Sequence, residues 1–132
     1  MGNTPNIDVL CSNLHGSKAV HIQVKTFVPG NPTCTVGLKA ERDFGPNFFW
    51  VLAGIPKDGQ QVPFVFFVIP SKAMAQKVKK AHMAWLAAPG KKGEKHKDSG
   101  VRTVHLPPRK SFIGWSIERY REKWDLITDR LK

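Results

Sequence analysis

Residues 7–12 read IDVLCS, 13–18 NLHGSK and 19–27 AVHIQVKTF, two alternating runs around a short polar turn. Successive side chains of a strand point to opposite faces, so this is the pattern of a β-hairpin. With the turn centred between His15 and Gly16, Ile7 lies opposite Val24, Val9 opposite Ile22 and Cys11 opposite Val20. One face of the hairpin is then wholly apolar. On the other, Asp8 stands opposite Gln23, with Lys25 one pleat further along. A slip of one residue would mix the two faces, which argues for this register. Opposed Cβ atoms lie roughly 5 Å apart and diagonal ones about 7–8 Å. A carboxylate, an amide oxygen and an ammonium are thus gathered within reach of one metal ion and one phosphate.

That constellation resembles the PD-(D/E)xK nuclease superfamily, the restriction-endonuclease-like fold. Pro5-Asn6-Ile7-Asp8 stands where the family has its Pro-Asp element, and Gln23-Val24-Lys25 where it has (D/E)xK, in the QxK form of some branches. The string IQVKT, followed by two strands and a helix opening at Pro70-Ser71, is similar to a group of small members of that fold. The resemblance implies one α/β domain over residues 1–132, with a central mixed sheet flanked by helices. It also implies a metal-dependent nuclease acting on DNA phosphodiesters, with Asp8, Gln23 and Lys25 as the catalytic set. Asp8, the Gln23 side-chain oxygen and the Val24 carbonyl would hold Mg²⁺ or Mn²⁺, and Lys25 would stabilise charge on the phosphorane or position the attacking water.

A second reading keeps the fold without hydrolysis, as a nucleic-acid-binding or regulatory module. Gln23 in place of an acidic residue favours it. So does the family's opening helix and strand, often with a glutamate ligand, for which only the residues ahead of Asp8 are available. Without that cover the apolar hairpin face needs a helix of this chain or a second copy. A homodimer, or a longer natural chain, is therefore expected.

The 132 residues suit one domain with a real core. Lys and Arg number 21 against 10 Asp and Glu, a formal charge of +11. Such a field favours polyanions, and nucleic acid, DNA before RNA, is the expected partner. No apolar run reaches membrane-spanning length and the N-terminus does not resemble a secretory signal. The two cysteines, Cys11 and Cys34, form no disulfide framework, and a reduced cytoplasmic protein is expected.

Residues 28–47 are punctuated by Gly and Pro, with one short helical turn expected at Leu38–Asp43. Glu41 there is a conceivable metal ligand, though a solvated charge is the plainer reading. Phe48–Ile55 and Val62–Ile69 are continuous apolar runs, the pattern of strands buried on both faces. The Asp58-Gly59 turn between them predicts an antiparallel pair, with Pro63 near the start of its strand or at an edge. Ser71 is the expected N-cap of a helix running to about Ala88, with Met74, Val78, Ala81, Trp85 and Ala88 as its core stripe.

Lys72, Lys79 and Lys80 lie on the polar side of that helix, and Lys91, Lys92, Lys95, Lys97 and Arg102 continue the charge into a loop. These are the candidate contacts to nucleic-acid phosphates, the loop reading as mobile. Val101–Leu106 is expected to be a short edge strand. A final helix from about Ile117 would align Ile117, Tyr120, Trp124, Ile127 and Leu131 as core. His21 shares the face of Gln23 and Lys25 and could touch substrate, whereas His82 is expected to pack beside Trp85. The five histidines and two cysteines show no zinc-ligand spacing.

Overall fold

The computed structural model describes residues 7–132; the lead-in at 2–6, with Pro5 and Asn6 of the Pro-Asp element, lies outside them. The hairpin forms as β1 (Ile7–Ser12) and β2 (Ala19–Phe27). Its register is the one the alternation dictates, with Asp8 opposite Gln23, Val9 opposite Ile22 and Cys11 opposite Val20. The turn is tied by Asn13, whose side-chain oxygen accepts the Ser17 N–H at 2.9 Å, and by Gly16 at φ 70°.

β3 (Thr33–Thr35), a 3-10 turn at Leu38–Glu41, β4 (Phe48–Gly54) and β5 (Val65–Pro70) follow, then α1 (Ser71–Ala87), β6 (Thr103–His105) and, at the C-terminal end, α2 (Asp125–Leu131). The main sheet has the order β1-β2-β4-β5, with β2 and β4 parallel and the outer pairs antiparallel. The expected α/β class with a central mixed sheet and flanking helices is therefore present. β4 is buried at every residue, as its unbroken apolar run requires. It ends at Gly54, where a Cβ would come within 2.8 Å of the Phe27 ring and 2.6 Å of Val65 Cγ1, so only glycine lets the three strands close there.

Alternation along β2, β4 and β5 produces two cores. On one face Phe27, Trp50, Leu52, Phe67 and Ile69 pack with Met74 and Val78 of α1 and with Cys34 and Val104 of the β3–β6 ribbon. On the other, Val20, Ile22, Phe49, Val51 and Val68 pack with Leu126, Ile127 and Leu131 of α2. The hairpin's apolar face is thus covered from within the chain by the C-terminal helix, although Val9 stays 40% exposed.

Several expectations need correction. Ser71 is the first helical residue and Pro70 the N-cap. The buried Ser71 hydroxyl instead accepts the Phe44 N–H at 2.9 Å and donates to the Arg42 carbonyl at 3.4 Å, tying the 39–44 loop to the helix. The second apolar strand starts at Val65, leaving Pro63 in the preceding loop. Val101–Leu106 contributes only Thr103–His105, and these pair with β3, away from the main sheet.

The final helix is not continuous from Ile117. A 3-10 turn at Glu118–Tyr120 gives way to a backbone bridge between Arg121 and Phe67, then Glu122 adopts φ 53° before α2 begins. Glu122 bonds Phe66 twice, donating its N–H to the Phe66 carbonyl at 2.8 Å and accepting the Phe66 N–H through its carboxylate at 3.1 Å. The segment crosses over the β5 edge, so Ile117 belongs to one core and Ile127 to the other. No helix among the described residues is long and apolar enough to cross a membrane.

Candidate functional site

On β2 the polar half of the alternation, His21, Gln23 and Lys25, turns toward the α1 side of the sheet rather than toward water. The parallel register with β4 sets Gln23 beside Trp50 and Lys25 beside Leu52. Gln23 is 1% and Lys25 8% exposed, because the 3-10 turn and β3 roof that face. The alternation of the hairpin alone does not announce this burial. Asp8, on the outer strand, remains exposed, and its carboxylate meets His21 Nε2 at 3.2 Å. The His21 ring in turn stacks on Phe48 with centroids 4.6 Å apart.

Lys39, which the sequence reading passed over, reaches across from the 3-10 turn. Its ammonium donates to Gln23 Oε1 at 2.8 Å and lies 5.4 Å from the Phe44 ring centroid and 5.7 Å from that of Phe48. Sixteen residues separate Lys39 from Gln23, and no local pattern announces the contact. Buried beside this pair, Gln23 Nε2 and Trp50 Nε1 have no hydrogen-bond acceptor among the described residues. The site is therefore rich in donors and poor in acceptors.

Burial lowers the Lys25 pKa from its ordinary value, with opposing pulls from Cys34 and Asp8 and a further push down from Lys39. The Cys34 thiol is pushed up to about 12, chiefly by burial, with Lys25 drawing it down. At neutral pH that thiol is uncharged, so Cys34 supplies no negative charge to Lys25 there and the lowered direction for Lys25 stands.

The residues present do not fit a divalent cation. The Gln23 oxygen assigned to the metal already accepts an ammonium, Lys25 adds a second cation, and Asp8 is the single carboxylate of the set. Val24, whose carbonyl was to complete the set, lies within β2 between β1 and β4. Among the described residues no group of three or more His, Cys, Asp or Glu could hold a metal ion. Glu41 is neither ligand nor solvated charge, since its carboxylate accepts the Arg102 Nε–H at 2.8 Å.

That pair also removes Arg102 from the list of phosphate contacts. Arg102 is 5% exposed and additionally bonds Asp98 at 3.2 Å; its guanidinium ties the loop to the 3-10 turn. Lys72, Lys79, Lys80, Lys91, Lys92, Lys95 and Lys97 are all exposed. The loop carrying the last four folds back on α1, with His96 stacked on Trp85 at 4.0 Å and Asp98 against His82 at 3.3 Å. His82 does pack beside Trp85, their ring centroids 5.6 Å apart.

No family model, curated protein or solved structure matches this chain.

Proposed function

We propose that this chain is a nucleic-acid-binding domain with a restriction-endonuclease-like core, DNA being the preferred partner and no hydrolysis being required. The observation that carries the reading is the Lys39 ammonium on Gln23 Oε1. It turns the position the resemblance gives to a metal into a second cation beside Lys25, and two neighbouring ammonium groups favour a phosphate over a divalent ion. The exposed lysines of α1 and of the 91–97 loop would extend phosphate contacts along the backbone. Affinity would then come from counterion release, with little sequence preference.

Hydrolysis is the second reading, supported by the register that sets Asp8 opposite Gln23 with Lys25 on the same face. It needs Lys39 to leave Gln23 so that Mg²⁺ or Mn²⁺ can enter. The expected homodimer keeps one support, the outer edge of β1, unpaired among the described residues, with Leu10 exposed beside it.

The test combines a salt titration of duplex binding with cleavage assays in Mg²⁺ and Mn²⁺ on plasmid, linear duplex, branched DNA and RNA. A log K against log salt slope of several units, no cleavage, and weaker binding by Lys25→Ala are expected. A flat salt dependence removes nucleic acid as the partner. Metal-dependent cleavage that Lys25→Ala abolishes while binding persists, and that Gln23→Glu enhances, replaces this reading with the nuclease.

A further inference from the structure

A cleft of about 570 Å³ lies between the second half of α1, the 99–103 segment, β6 and the 110–112 loop. It shares no lining residue with the Asp8–Gln23–Lys25 face. Its volume falls within the range of small-molecule sites, roughly 300–1,000 Å³. Its walls divide by chemistry. Trp85, Phe112 and Val101 make an apolar side, while Lys110, His105 and Thr103 supply polar groups.

The aromatic side is built for contact. Phe112 is 55% exposed although it sits at the mouth of a cavity, so its ring faces solvent unless something covers it. Trp85 is backed by His96, which stacks on it at 4.0 Å and is not itself part of the lining. The indole, with His82 beside it at 5.6 Å, is therefore held in place where it lines the cleft. On the polar side, His105 and Thr103 line the cleft together with Lys110.

Charge narrows the class. Among the described residues no acidic side chain lines the cleft. The Arg102 charge is already met by Glu41 and Asp98, which leaves Lys110 as the cation for an incoming anion. Aromatic side chains and a cation lining one cleft suit a ligand that joins a planar heterocycle to a multi-oxygen anion. The geometry points to a binding site for a nucleoside monophosphate unit, its base against Trp85 and Phe112 and its phosphate on Lys110. Such a unit comes either as a free nucleotide or as an unpaired nucleotide of a strand. The proposal stands on residues other than Lys25 and Lys39, so it survives or fails independently of duplex binding.

The experiment is calorimetric titration of the intact chain with AMP, CMP, adenosine, inorganic phosphate and a single-stranded tetranucleotide, with the Trp85 indole N–H resonance followed in parallel. Monophosphates are expected to shift that resonance and to bind at least tenfold more tightly than adenosine or phosphate. Phe112→Ser and Lys110→Ala, both at the protein surface, should each weaken binding about five- to tenfold, a loss of the size expected for one stacked base or one charge. Lys25→Ala should leave it unchanged. A tetranucleotide binding more tightly than AMP identifies an unpaired strand as the source, and equal affinity identifies the free nucleotide. The proposal is overturned if no monophosphate shifts the Trp85 resonance at millimolar concentration. It is equally overturned if adenosine matches AMP, or if both cleft variants, shown folded by their spectra, bind as the wild type does.

Discussion

The two faces of the main sheet are covered to different depths. One carries α1, the β3–β6 ribbon and the 3-10 turn over Trp50, Leu52, Phe67 and Ile69; the other carries, among the described residues, the seven residues of α2 over Val20, Ile22, Val51 and Val68. The deep face is also the one that holds Gln23, Lys25 and Arg102 out of water, with Lys39 on Gln23 and Glu41 on Arg102. A thick cover can exclude solvent from charged groups because it supplies partners for them, whereas a single short helix covers apolar side chains and nothing else. Polar function is thus confined to the side with material enough to shape it.

Six substitutions break or sharpen that contrast. Leu52→Ala, at a fully buried position of the deep face, should cost about 3–5 kcal/mol in urea unfolding, because its surroundings on three elements cannot collapse into the space. Ile127→Ala on α2 should cost less, about 2 kcal/mol, since a short terminal helix can settle onto the sheet. Equal losses would show that the two covers are equally rigid.

Cys34→Ala probes the polar part of the deep face through pH. The folded thiol pKa lies near 12 against an ordinary value of 9.0, so the unfolded chain ionises first. Stability from this group is full below pH 9 and is lost as pH rises toward 12, by about 1.4 kcal/mol per unit. Lys25 acts in the opposite sense. Its lowered pKa makes the folded state disfavour the charge, a penalty relieved as pH climbs through the folded value toward the ordinary 10.5. Unfolding measured from pH 8 to 11 should therefore show a steeper alkaline decline in wild type than in Cys34→Ala, and the steepest in Lys25→Met. The smallest expected effect is that of Lys72→Ala with Lys79→Ala, on exposed helix positions. Stability should change by less than about 0.5 kcal/mol while the salt slope of DNA binding falls by roughly one per lysine.

The hairpin register could be read because both strands alternate strictly and only one pairing keeps their faces separate. The two apolar runs were equally plain as strands, and Asp58-Gly59 gave their antiparallel sense. What escaped was whatever depends on partners remote in sequence. Polar alternation at Gln23 and Lys25 looks like a solvated face unless the roof from 34–41 is known. Arg102 sits in a run of exposed lysines, and nothing nearby marks it as the partner of Glu41. Ile117, Tyr120, Trp124 and Ile127 keep helical spacing, yet pairing with Phe66 and Phe67 breaks the helix between them. Of the candidate site, the placing of Asp8, Gln23 and Lys25 was legible, but the Lys39 contact that changes its chemistry was not.

The crossing of the 118–122 segment over β5 has a consequence for how copies of this chain could add to one another. Backbone groups on that side of the sheet are engaged by Arg121 and Glu122, whereas the far side of β1 is unpaired among the described residues. Among the described residues, then, β1 is the outer strand left without a neighbour, while Phe66 and Phe67 of β5 are already engaged. Strand addition at β1 would join two copies through like edges and leave each with no further place to grow, giving a closed pair rather than a fibre.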